Sequence, residues 1–317
     1  MYITTTFPVA QPNLRSMLEE KIETEKLLWN GPYISLEKNY VPGSLIDDVV
    51  QSGWISKEVG DMFKSYGITQ LYSHQDEAIK RILDLKNTIV ATGTGSGKTE
   101  AFLIPIVEYC YRNKDKKGTK ALIIYSMNAL VNVQHERLKR LLNGTGITFA
   151  IYTSRTPETI DQRPPDALEE ERCTREEIQK DPPDILVTNY SMLEYLLVRK
   201  GDQKIFKEKR LKFLVLDKIH TYRGAKGSEV ACLIRRLKEH TGKLGDDRLV
   251  CIGTSATIKS QYDEDNSKIR KFAEDLFGEP FDSDCVIKED YIPPKEPEKP
   301  YIPPPPRLKK KRKTLYL

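Results

Sequence analysis

Thr88-Ile-Val-Ala91-Thr92-Gly93-Thr94-Gly95-Ser96-Gly97-Lys98-Thr99 is the stretch on which the fold turns. Four β-prone residues run into a loop with three glycines, and the loop ends in Lys98-Thr99 ahead of a helical run. A strand, a tight loop and a helix start in that order aim successive backbone N–H groups at one point. The glycines permit positive φ and close approach, and the helix terminus adds partial positive charge. Such a nest suits a phosphate chain. Lys98 is placed to reach the β- and γ-phosphates and Thr99 to ligate Mg²⁺, so residues 92–99 form the expected ATP-binding loop.

Outward from the loop, short β-rich apolar runs alternate with longer helical ones from Leu71 onward, which predicts βαβ units and a parallel sheet. Strands are expected at Thr88–Ala91, Ala121–Tyr125, Phe149–Tyr152, Ile185–Thr188, Phe213–Asp217 and Val250–Gly253. Asp217 closes the strongly apolar run Phe213-Leu-Val-Leu216, at the strand end where a carboxylate beside a phosphate loop holds Mg²⁺. Arg155 to Pro183 is charged and Pro-containing, and reads as a surface insertion with a short helix near Asp166 to Lys180. An amphipathic helix over Lys268–Phe277 closes the pattern.

The flanks differ in composition. Residues 1–70 read as an N-terminal accessory segment, with an amphipathic helical stretch from Leu14 to Trp29 followed by Gly/Pro punctuation. Residues 71–280 carry the ATP-binding domain. Residues 281–317 form a Pro-rich linker and a basic tail, Arg307 to Lys313, which cannot pack a core and is expected to be disordered. No apolar run approaches the roughly 18 residues of a membrane span, and the N-terminus lacks the basic and apolar regions of a secretory signal, so the expected location is cytoplasmic. Five widely spaced cysteines without a CxxC pair suggest neither a zinc site nor a disulfide framework. A net charge of +5 is compatible with a polyanionic partner without establishing one.

The motifs together resemble the first RecA-like lobe of a superfamily 2 DExH-box helicase, from about Leu71 to Phe277. Thr92, where the strict loop has Gly, matches the variant common in that superfamily. Leu71-Tyr-Ser-His-Gln75 resembles the adenine-reading Q motif, with Gln75 as its amide. Ser126-Met-Asn128-Ala-Leu130 through Gln134 resembles motif Ia, Tyr152-Thr153-Ser154 the next backbone-contacting turn, and Asp184 to Met192 the strand and loop that follow. Gly253-Thr-Ser255-Ala256-Thr257 resembles motif III, whose Ser255, Ala256 and Thr257 would relay the ATP site to nucleic acid. Thr99-Glu-Ala-Phe-Leu-Ile-Pro105, Asn189-Tyr-Ser-Met-Leu-Glu-Tyr195 and His220-Thr-Tyr-Arg-Gly224 are similar to the YprA/MrfA-like DNA helicases of bacteria and archaea. The resemblance implies an α/β P-loop NTPase fold, a parallel sheet sandwiched by helices, with ATP and Mg²⁺ as cofactors and DNA as partner. Asn128, Thr153, Arg155 and Asn189 are the expected strand-contacting residues, though each also fits a plain capping or turn role. His74 and His135 read as ordinary polar residues, and Tyr66 and Tyr72 as core or adenine-stacking residues.

One residue departs from the family's chemistry. The box Asp217-Lys218-Ile219-His220 has lysine where the family has Glu, the group that accepts a proton from the attacking water. Losing a positioned base costs about 10² to 10⁴ in rate, so nucleotide binding with weakened hydrolysis is expected. Lys218 can pair with the γ-phosphate or with Asp217 instead, and His220 is expected to couple the ATP site to motif III. No second strand-helix lobe with an arginine-finger box is legible after Phe277. The expected function is therefore the ATP-binding lobe of a DNA helicase, alone or completed by a second polypeptide. The alternative is a non-catalytic ATP- and DNA-binding subunit or a truncated fragment.

Overall fold

The computed structural model describes residues 39–126, 128–245, 247–256 and 263–292. The Leu14–Trp29 stretch, nearly all of the Pro-rich run, the basic tail and Thr257 lie outside them. Chain order begins with β1 (Pro42–Leu45), α1 (Ile46–Gln51), α2 (Lys57–Ser65), β2 (Gln70–Tyr72), α3 (Ser73–Leu83), β3 (Thr88–Ala91), α4 (Lys98–Arg112), β4 (Ala121–Tyr125) and α5 (Asn128–Leu142). It continues with β5 (Phe149–Tyr152), β6 (Glu171–Arg172), α6 (Arg175–Lys180), β7 (Ile185–Asn189), α7 (Tyr190–Val198), β8 (Phe213–Leu216), α8 (Gly224–Thr241), β9 (Val250–Ser255), α9 (Asp263–Phe277) and β10 (Val286–Lys288).

Eight strands form one sheet in the order β10-β3-β9-β8-β4-β7-β5-β6, and every neighbouring pair is parallel. Strands β3, β4, β8 and β9 are buried along their whole length, as a parallel sheet covered on both faces requires. Their side chains divide by the two-residue period. Leu122 and Ile124 enter one core with Leu214, Leu216 and Cys251, while Ala121, Ile123 and Tyr125 enter the other with Phe213, Val215 and Ile252. The first core is closed by α7, α8 and α9 through Leu193, Leu196, Val230, Ile234, Ala273 and Phe277. The second is closed by α1 to α5 through Ile46, Phe63, Ile79, Phe102 and Leu138, among others. The α/β sandwich expected from the alternating runs is thus the observed fold.

Both expected domain boundaries need correction. Ile46, Val49, Ile55, Val59 and Phe63 are buried in the second core, so residues from Tyr40 belong to the sheet-bearing body and are not an accessory segment. At the other end β10 pairs with β3 in register Val286↔Ile89 to Lys288↔Ala91, so the body passes residue 280. A hydrophobic cluster needs both of its faces closed, and these segments close it. The 155–183 insertion is more embedded than its polarity suggests. Its helix is confined to Arg175–Lys180, and Glu171–Arg172 adds an edge strand beside β5. Thr174 caps α6 by accepting from the Glu177 N–H at 3.2 Å, while Glu177 reaches back to the Thr174 N–H at 3.0 Å. Among the described residues all five cysteines are free, and no helix is long and apolar enough to cross a membrane.

Candidate nucleotide site

Parallel pairing puts every strand's C-terminal end at one edge, and the register decides which loops meet there. Ala91 lies opposite Ser255 and Leu216 opposite Gly253, so the loops after β3, β9 and β8 are side by side. This brings together residues 92–99, 217–220 and 255–256. The ends of β4, β7 and β5 follow in the same row, carrying Asn128, Asn189 and Thr153 with Arg155. The predicted residues therefore fall into two adjacent groups along one edge, where open α/β sheets take their ligands.

The glycine-rich loop is fastened from several sides. Gly95 and Gly97 take φ of 83° and 75°, conformations that disfavour any side chain, and a Cβ at Gly97 would lie 2.2 Å from the Gln75 Nε2. Lys98 folds back so that its Nζ donates to the carbonyl oxygens of Thr92 at 2.8 Å and Gly93 at 2.5 Å. Ser96 Oγ donates to Gly93 O at 2.9 Å, which leaves Thr92 Oγ1 to donate to Ser96 at 2.6 Å. Thr94 and Gly95 are exposed at the loop tip, while Thr99 is half-buried at the start of α4. Burial pushes the Lys98 ammonium below the ordinary lysine range, and the nearby Asp217 and Glu289 carboxylates pull it back up.

Helix α3 braces this loop. Gln75 is 4 % exposed; its Oε1 accepts the Tyr72 N–H at 2.8 Å and its Nε2 donates to Gly97 O at 2.9 Å. It is at once a helix cap and a loop tether, with one N–H and one lone pair left over. His74, read from sequence as an ordinary polar residue, is 1 % exposed and its Nε2 donates to Ser96 O at 2.8 Å. Its only signal was adjacency to Gln75 at the helix start. Tyr66 and Tyr72 line a cleft of about 400 Å³ with Thr69, Gln70, Gln75 and Gly97.

At β8, Asp217 Oδ1 accepts from Thr254 Oγ1 at 2.5 Å, and Thr254 Oγ1 accepts the Lys218 N–H at 3.0 Å. Thr254 thus fixes both box residues from the neighbouring strand, a role that sequence reading passed over for Ser255 to Thr257. Lys218 stands in the left-handed region at φ 56°, and its ammonium has no ion pair among the described residues, so of its two alternatives the pair with Asp217 is not the one formed here. His220 Nδ1 accepts the Ala256 N–H at 3.2 Å and lies 3.1 Å from Ser255 Oγ. An N–H donated to Nδ1 assigns the imidazole proton to Nε2. Burial lowers the His220 pKa, and the Arg223 and Lys218 charges lower it further.

In the second group, Asn189 caps α7 by accepting the Met192 N–H at 2.7 Å. The Thr153 hydroxyl accepts the Arg155 N–H at 3.2 Å, while Arg155 itself is exposed. Asn128 opens α5, and its side chain lies outside the described residues.

Residues 72–264 match the DEAD/DEAH box helicase family. The chain belongs to that family. Among curated relatives it is similar to the Druantia protein DruE of Escherichia coli, with 28% identity over 87% of this chain and 20% of DruE. An uncharacterised ATP-dependent helicase of Methanocaldococcus jannaschii shares 30% identity over 75% of the chain and 31% of its own length. YprA of Bacillus subtilis shares 28% over 71% and 27%. The structure of the DUF1998 helicase MrfA bound to DNA superposes with a TM-score of 0.61 at 25% identity, covering 86% of this chain and 34% of MrfA. These place the chain as a superfamily 2, YprA/MrfA-like helicase ATP-binding domain. It spans about a fifth to a third of the relatives it matches.

Proposed function

We propose that this helicase domain binds ATP and a DNA strand along one sheet edge and hydrolyses ATP slowly because of Lys218. The observation that carries the reading is the meeting of Lys98, Asp217 and the His220–Ser255 pair at the ends of β3, β8 and β9. On nucleotide entry Lys98 exchanges the Thr92 and Gly93 carbonyls for phosphate oxygens, and the amides of residues 95–99 close around the chain. Tyr66, Tyr72 and the remaining Gln75 groups face the adenine. Thr99 and Asp217 supply the hard oxygens that Mg²⁺ takes beside phosphates, so the donor set fits; the ion would neutralise phosphate charge. A lysine ammonium has no lone pair with which to accept a proton from water, so the step assigned to the family's Glu lacks its base.

The loops after β4, β7 and β5 contact the strand backbone through Asn128, Asn189, Thr153 and Arg155; MrfA, the structural relative, is solved with DNA. Strand separation needs a second lobe that closes on this one, in the same polypeptide or another. Acting on DNA with ATP fits a cytoplasmic site. Two measurements test the reading. Lys218→Glu is expected to raise steady-state ATPase by about 10² or more, with single-stranded DNA stimulating it further; no gain overturns the assignment of the block to Lys218. Binding of a fluorescent ATP analogue is expected to be lost in Lys98→Ala, and unchanged binding overturns the nucleotide site.

A further inference from the structure

The phosphate loop is held on its far side by a group outside every helicase motif. Glu289 follows the edge strand β10, is 9 % exposed, and one of its carboxylate oxygens accepts the Gly93 N–H. Tyr291 Oη donates to its other oxygen. The same few residues are clasped to the start of the sheet-bearing body. Val41 N donates to Asp290 O at 3.0 Å, and Tyr40 bridges Tyr291 with their rings 5.4 Å apart. The Tyr40 ring also meets Tyr72 at 5.0 Å and His74 at 5.6 Å, the residues that line the cleft and brace the loop. Gly93 lies just ahead of the 95–99 amides assigned to the phosphates, so the carboxylate opposes an incoming phosphate chain by like charge across the loop and the two disfavour each other.

We propose that Glu289 is a latch displaced by nucleotide. Its carboxylate holds the Gly93 amide until the phosphate chain arrives, and its departure loosens the grip of residues 289–291 on Tyr40 and Val41. The proposal rests on the ATP-binding reading of the loop and adds two consequences to it. ATP competes with an internal anion, and the first residues beyond the sheet respond to whether the loop is filled.

The test combines titration of a fluorescent ATP analogue with hydrogen exchange at the Val41 amide. Glu289→Gln keeps the shape and removes the charge, and is expected to bind the analogue about tenfold tighter than the native chain, with adenosine binding unchanged. Glu289→Ala, which removes the carboxylate altogether, is expected to shift affinity in the same direction and guards against a folding defect peculiar to one variant. Adding the ATP analogue to the native chain is expected to speed Val41 exchange several-fold. Equal or weaker analogue affinity in both variants overturns the latch, and so does Val41 protection that ATP leaves unchanged or increases. Lys98-dependent binding left unchanged by both Glu289 variants defeats the latch alone. Binding indifferent to Lys98→Ala instead defeats the nucleotide reading and the latch with it.

Discussion

Lys218 holds a backbone conformation that costs a residue with a Cβ about 1 kcal/mol or more, with φ 56° and ψ 52° fixed by the Thr254 contact to its N–H. Asn enters that region more readily, so Lys218→Asn is expected to stabilise the fold by about 0.5 to 1 kcal/mol in urea denaturation. The two histidines of the site add a pH dependence of definite sign. Burial lowers both His74 and His220 from the ordinary value of 6.5. The unfolded chain therefore binds the proton first as pH falls. Stability from these groups is complete above 6.5 and declines as pH drops from there toward their lowered folded values. Thermal melts across that window should show the midpoint falling with acid, and a flat profile in a chain carrying His74→Gln and His220→Gln. The loop residues were legible because their chemistry is local: glycines, Lys98 and Thr99 stand at fixed offsets. Thr254, His74 and Glu289 were not, because each acquires its role from a distant neighbour: strand pairing brings one to Thr254 and Glu289, and packing of α3 against the loop brings Ser96 to His74.

Elements announce themselves when their own side chains bury them. The six expected strands are runs of apolar residues covered on both faces, and they appear within a residue or two of their expected limits. Strand β10 has only two apolar residues, Val286 and Ile287, and the open edge of β3 makes it a strand. Charge can also fasten elements where sequence shows only polarity. Asp184, just ahead of β7, is buried and accepts the Thr148 N–H at 2.8 Å and the Thr148 hydroxyl at 3.0 Å, while the buried Lys120 ammonium pairs with its other oxygen. One carboxylate thus ties the starts of β4, β5 and β7. Removing one partner leaves a buried charge uncompensated, so Asp184→Ala is expected to cost about 3 to 5 kcal/mol in chemical denaturation. An equal loss on replacing both Lys120 and Asp184 by apolar residues of similar size would contradict that cause.

For the whole molecule, the segment before Leu71 matters more than its irregular composition suggests. Helix α2, with Val59 and Phe63, packs against α4 and α5 within the second core, so a chain trimmed to begin at residue 71 is expected to melt without cooperativity. Circular dichroism against temperature checks this, and a sharp transition in the trimmed chain would refute it. The burial of that segment is not legible locally, because it depends on helices α4 and α5 that follow it later in the chain. The eight parallel strands also set a distance. From the end of β3 to the end of β5 there are five strand spacings, about 24 Å at ordinary sheet geometry. The hydrogen-bonded ladder makes that edge a rigid ruler, with the glycine-rich loop at one end and the proposed strand contacts toward the other. News of an arriving phosphate cannot travel along it as a change of length. It has to pass through parts that swing against the ruler, such as His220 on Ser255 or whatever body closes over the edge.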